Sequence, residues 1–163
     1  MLIGLSAAAI LFVVLAFFAI GPERVWRLAG PADLGPVAFE TLERRTTPND
    51  ALACPPGLCR ARSDREPPIF AMPAAELRQA FARVMAAEPR VERLAVDEET
   101  LTERWVQRSR VMRFPDTVNV RFVDLGEGRS TLALYSRSQL GSDDMGVNRA
   151  RIERWLDRLA AGP

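Results

Sequence analysis

Hydrophobic patterning changes character along this chain and divides it into stretches. From Leu2 to Ile20, "LIGLSAAAILFVVLAFFAI" is apolar all round and carries no charge. At helical rise this stretch spans about 28 Å, close to the hydrocarbon thickness of a bilayer. It reads as a single membrane-spanning helix, because a core helix of a small domain keeps a polar face. From Gly21 to Thr47 the apolar positions scatter among glycine, proline and charge, which predicts a tether. Proline and turn residues then dominate Pro48 to Pro68 and predict an irregular strap. Beyond Ile69 regular periods return. Leu77, Phe81, Val84 and Met85 recur at helical spacing until Pro89. Strand candidates follow at Val91–Val96, Thr100–Arg110, Thr117–Leu125 and Arg129–Ser138. In the third, Val118, Val120 and Phe122 alternate with Asn119 and Arg121, and "GEG" at 126–128 makes a hairpin to the fourth. Ile152, Trp155, Leu156 and Leu159 define a last helix, with Asp143 or Asp144 as its N-cap.

The predicted fold is therefore α+β. About four antiparallel strands carry two helices on one face, in the order helix, strands, helix. Residues 1–21 form the anchor, 22–47 the linker and 48–163 the domain with its cysteine-containing strap.

Composition narrows the chemistry. The chain has no histidine, which excludes a Ser-His-Asp triad, a histidine general base and a histidine-ligated metal. Its two cysteines cannot complete a tetrahedral zinc site, so no metal and no cofactor is expected. A net charge of +1 and the membrane segment argue against a nucleic-acid partner. All the basic residues are arginine, which stays charged when half buried and binds carboxylates and phosphates through a planar fork. Arg104, Arg108, Arg110 and Arg113 crowd Trp105 and read as a solvated face paired with Glu98, Glu99 and Glu103.

Orientation is ambiguous from the residues. Arg24 and Arg27 follow the apolar segment and place the domain in the cytoplasm by the positive-inside rule. Cys54 and Cys59 bracket "PPGL", a turn that allows a bridge and hence an oxidising compartment. Two free thiols fit the same spacing. A cleaved signal peptide competes with the anchor, but no basic residue precedes the segment, and Phe17 sits where cleavage after Ala19 needs a small side chain.

"PNDALACPPGLC", "WVQRSRVMRFPDTVNVRF" and "STLALYSRSQLGSDDMGVNRARIERWL" together resemble the family catalogued as domain of unknown function 1499, over roughly Pro48 to Leu159. The resemblance supplies no catalytic residue. It implies that the cysteine pair belongs to the domain. It also implies an exported or lumenal setting, and so a single-pass protein of the bacterial inner membrane with its domain on the periplasmic side.

Chemistry-bearing residues gather at the last strand-to-helix corner. Arg137, Asp144, Asn148 and Arg149, with Arg121 on the neighbouring strand, form the candidate ligand-binding set. Asn148 and Arg149 are expected against the sheet, with Arg151 pointing further round. A helix N-terminus there favours an anion, while Asp143 or Asp144 capping the helix and pairing with arginine is the structural alternative. Ser136 and Ser138 lack a base to activate them, so no catalytic residue is assigned. The expected role is a non-catalytic binding or accessory domain beside a membrane protein complex or an anionic envelope lipid. An enzyme or binder of a small anionic or lipid substrate at this corner is the alternative, and a structural subunit of a membrane assembly is a third.

Overall fold

The computed structural model describes residues 2–162. Helix α1 (Leu2–Ile20) stops at Gly21, whose φ of 95° lies in a region glycine tolerates, and Pro22 restarts a short helix α2 (Pro22–Trp26). Side chains of α1 such as Phe12 and Leu15 are exposed, with no part of the protein packed over them. Among the described residues from Ala7 onward, no single helix is long and apolar enough to cross a membrane. Ala7–Ile20 and Pro22–Ala29 pass only as a pair bent by 92°. The unbroken span expected at the N-terminus is thus not confirmed as such. Trp26 does not stand free on the tether. Its ring lies 4.8 Å from Phe114 and 5.4 Å from Phe17, and its Nε1 donates to the Met112 carbonyl at 2.5 Å.

The sheet has five strands where four were expected. They are β1 (Asp50–Ala53), β2 (Val91–Asp97), β3 (Thr102–Arg108), β4 (Pro115–Gly126) and β5 (Arg129–Ser138), all antiparallel in the order β1-β5-β4-β3-β2. The additional strand is "DALA", composed of poor strand formers and set in a proline-rich strap. Pairing with β5 makes it a strand: Leu52 lies opposite Tyr135 and Ala53 opposite Leu134.

Helices α3 (Ala74–Ala86) and α4 (Val147–Ala161) both cover one face, as their apolar stripes predict. Phe81 of α3 sits at the centre, its ring edge-on to Trp105 of β3, Phe122 of β4 and Trp155 of α4 at 5.7–6.2 Å. Burial of such rings contributes about 1.5–3 kcal/mol each, and their edge-to-face contacts add to that.

The opposite face is covered too. Val37, Phe39, Leu42, Leu58 and Cys59 pack on Leu52, Ala133 and Tyr135. Much of this cover comes from the stretch expected as a tether. Ala32 and Leu34 exchange hydrogen bonds with the Thr117 hydroxyl at 3.0 Å, and Asp33 receives Arg104 at 2.7 Å. The sheet's central strands are therefore buried on both sides, which is why Thr117 and Asn119 of β4 are inside with Val118 and Val120. The arginine run around Trp105 pairs differently from expectation. Arg104 meets Asp33, Arg108 meets Glu23 and Glu92, and Arg113 meets Glu23, while Glu98 and Glu103 are taken by Arg78 of α3.

Cys54 and Cys59 are bridged, with Cα atoms 6.2 Å apart. The bridge closes the turn after β1. The chain beyond it then returns, so that Asp64 accepts the Leu52 amide at 2.9 Å.

Candidate functional site

The helix-facing side of the sheet turns polar along its strands. Phe122–Leu132 and Val120–Leu134 are apolar pairs, Val118–Ser136 is mixed, and Asp116–Ser138 is polar and lies opposite Gln107 on β3. The N-terminal turns of α4 pack over this polar end. Asn148 and Arg151, one turn apart, enter the sheet-facing stripe with Ile152 and Trp155.

Arg151 is the hub, and its side chain is 4% exposed. Its Nη2 donates to Asp116 Oδ2 at 2.5 Å and its Nε to Gln107 Oε1 at 2.5 Å. Its Nη1 donates to Ser136 Oγ at 2.7 Å and to Asn148 Oδ1 at 2.5 Å. Asn148 Nδ2 in turn donates to Asp144, to Ser138 Oγ and to the Asn49 carbonyl. A buried guanidinium with four acceptors, one of them a carboxylate, is a satisfied network, which fixes geometry more than it adds stability.

The sequence-predicted set is thus dispersed. Asn148 lies against the sheet and belongs to the network. Arg149 does not face the sheet: it lies outside, on Asp64 at 2.9 Å, and Arg151 takes the inward place. Successive helical residues are about 100° apart, so the residue one turn after Asn148, and not its neighbour, shares its face. Arg137 points to the other side of the sheet, into the cover, donating to the Leu34 and Gly35 carbonyls at 2.8 and 2.9 Å. Burial lowers its pKa. Arg121 pairs with Glu40 of the cover, well away from the corner. Asp144 does cap α4, but from two residues before the N-cap. Gly146 holds the N-cap position at φ 77°, and the Asp144 carboxylate accepts the Gly146 and Asn148 amides at 2.9 and 2.8 Å. Asp116, Gln107, Ser136 and Arg151 were missed by sequence reasoning. The signal was there only for Arg151, one turn before Trp155 on the apolar stripe.

Two concavities flank the loop that leads into α4. One is a cleft of about 420 Å³ whose walls are Trp26, Phe114, Leu140, Met145 and Val147. Met145 is 95% and Val147 51% exposed. Its buried end is polar, formed by Asp116 and Ser138 of the network, and Ser109, Asp143 and Asp144 also line the cleft. The other is an open basin of about 550 Å³ on the far side of the loop, lined by Arg44, Arg45, Arg62, Arg149, Asp50 and Asp64 among others. There Arg44 bridges Asp50 at 2.7 Å and Asp64 at 2.8 Å. Burial pushes the Asp50 carboxyl upward, yet hydrogen bonds from Arg44, the Tyr135 hydroxyl and the Arg45 amide hold it below the usual range. The Tyr135 hydroxyl is correspondingly harder to ionise, through burial and its bond to Asp50.

These features define an α+β domain with a helical layer, a five-stranded antiparallel sheet and an irregular cover stapled by a disulfide. Residues 43–159 match the family described as Protein of unknown function (DUF1499), and the chain belongs to that family. No curated protein matches it. Among solved structures, the di-domain ARO/CYC BexL from the BE-7585A biosynthetic pathway is similar at 14% identity over 66% of this chain, with a TM-score of 0.39. The chain spans 41% of that protein, and at this score the likeness carries no argument.

Proposed function

We propose that this protein is a membrane-anchored, non-catalytic binding domain whose cleft beside Trp26 receives an acyl chain of an envelope lipid. The carrying observation is the cleft itself, with five apolar side chains in its lining, a polar end at Asp116 and Ser138, and Ser109, Asp143 and Asp144 beside them. Amphipathic pockets of this size suit a ligand that is mostly hydrocarbon with one polar group. Trp26 forms part of the wall and touches Phe17 of α1, so an α1 seated in the bilayer of the bacterial inner membrane brings the cleft to the lipid interface. The Cys54–Cys59 bridge supports a periplasmic setting.

Chemistry at the polar end supports binding over turnover. Ser136 is held by Asn148 and Arg151, Ser138 by Asn148, and the chain offers no histidine or lysine to activate either.

Purification of the full chain in mild detergent followed by mass spectrometry of extracted lipids tests the reading. The wild type carries lipid at near-stoichiometric amount. Val147→Asp, which replaces an apolar side chain of the cleft with a further carboxylate at a position where a helix N-terminus tolerates an acid, loses it without a lower melting temperature. A wild type that emerges without lipid, or a Val147→Asp variant that keeps its lipid, overturns the proposal.

A further inference from the structure

The basin on the other side of the loop is built from parts distant in sequence. Arg44 and Arg45 come from the cover, Arg62 and Asp64 from the segment after the disulfide, and Arg149 from the outer face of α4. Four arginines and two carboxylates, Asp50 and Asp64, line it, and only Arg44 and Arg149 pair with those carboxylates. Both carboxylates are already engaged. Asp50 holds Arg44 and the Tyr135 hydroxyl, and Asp64 is divided between Arg44, Arg149 and the Leu52 amide.

Donors remain unused. Arg149 gives only Nη2 to Asp64, and Arg45 gives only Nη1, to the Ser138 carbonyl at 2.6 Å and to Asn49. Among the described residues, the Arg62 guanidinium has no hydrogen bond or ion pair. Its carbonyl instead accepts from Arg44 at 3.2 Å and so fixes its backbone beside the basin. The positive charge also reaches inward: after burial, the charge of Arg45 contributes to lowering the pKa of Arg137 behind it.

We infer that this basin binds a phosphate-type oxyanion, held chiefly by Arg62, Arg149 and Arg45 with Arg44 as the fixed base. Guanidinium groups that converge from three chain segments match the several acceptor faces of a tetrahedral dianion better than the single edge of a carboxylate. A double negative charge also balances the excess of two guanidinium groups over carboxylates. A free phosphate and a phosphomonoester headgroup share this chemistry. The inference is independent of the cleft reading, since no arginine of the basin lines the cleft.

The test is titration of the purified full chain in mild detergent with inorganic phosphate, chloride keeping ionic strength constant, read by melting temperature and calorimetry. Phosphate raises the wild-type melting temperature saturably. Arg62→Gln, which breaks no side-chain bond in the protein, and Arg149→Gln each weaken the apparent affinity about tenfold or more. The exposed Arg110→Gln, remote from the basin, leaves it unchanged. A second arm repeats the titration in phosphatidylcholine nanodiscs with and without phosphatidic acid. Competition by phosphatidic acid assigns the site to a lipid headgroup, and its absence assigns it to a soluble phosphate. A wild type with no response beyond that of chloride, or an Arg62→Gln/Arg149→Gln double variant that responds like wild type, refutes the site.

Discussion

Replacing Arg151 with methionine tests whether the buried network holds the polar end of the core together. The substitution roughly preserves the aliphatic stem but removes the guanidinium from Asp116, Gln107, Ser136 and Asn148 at once. Asp116, whose side chain is 9% exposed, then loses its paired cation. Breaking one side of a buried pair in this way costs about 3–5 kcal/mol. At about 3–4 °C per kcal/mol for a domain of this size, the melting temperature falls by roughly 10–20 °C. Urea denaturation with tryptophan fluorescence gives the free energy, and Trp155 reports directly because it lies one turn beyond Arg151. The companion variant Asp116→Leu/Arg151→Met removes both charges and recovers a large part of the loss, because no ion is left stranded. An Arg151→Met protein within about 1 kcal/mol of wild type, or a double variant at least as unstable as the single, refutes the reasoning.

Three further outcomes follow from the geometry. Gly146→Ala keeps the space it needs, since nothing lies within 4 Å of the added methyl, but holds alanine at φ 77° and loses about 1 kcal/mol in urea titrations; Gly146→Asn loses less. Reduction of the Cys54–Cys59 bridge, which spans a sequence separation of 5, destabilises the protein by about 2 kcal/mol, measured by melting with and without dithiothreitol. The Asp50 carboxyl is held below its ordinary pKa in the fold, so its contribution is complete above the unfolded value of about 4 and is lost as pH falls through the folded value. Stability measured from about pH 7 down to about pH 2 therefore drops below about pH 4, and Asp50→Asn makes that drop shallower.

The elements with a strong local period were legible from the residues: α3, β2 to β5 and α4 fall within a few positions of their predicted bounds. Their apolar spacing is a property of neighbouring residues, and so is the stripe that puts both helices on one face. Asn148 was legible for the same reason, as a position one turn before Ile152.

The remaining features depend on contacts distant in sequence. "DALA" is a strand because β5 offers it an edge, and the stretch at 22–47 is a cover because Tyr135 and Ala133 present a second apolar face. Which arginine pairs with which acid likewise rests on segments as far apart as Glu23 and Arg113. The chain alone determined α3, α4, its hairpin and the absence of histidine chemistry, since periodicity and composition need no partner. The fold decided that Arg151 and not Arg149 is buried with Asp116, that Arg137 faces away from both, and that a greasy cleft and an arginine basin flank one loop. Burial and ion pairing are settled by whatever packs opposite, and that is fixed only once the sheet has closed.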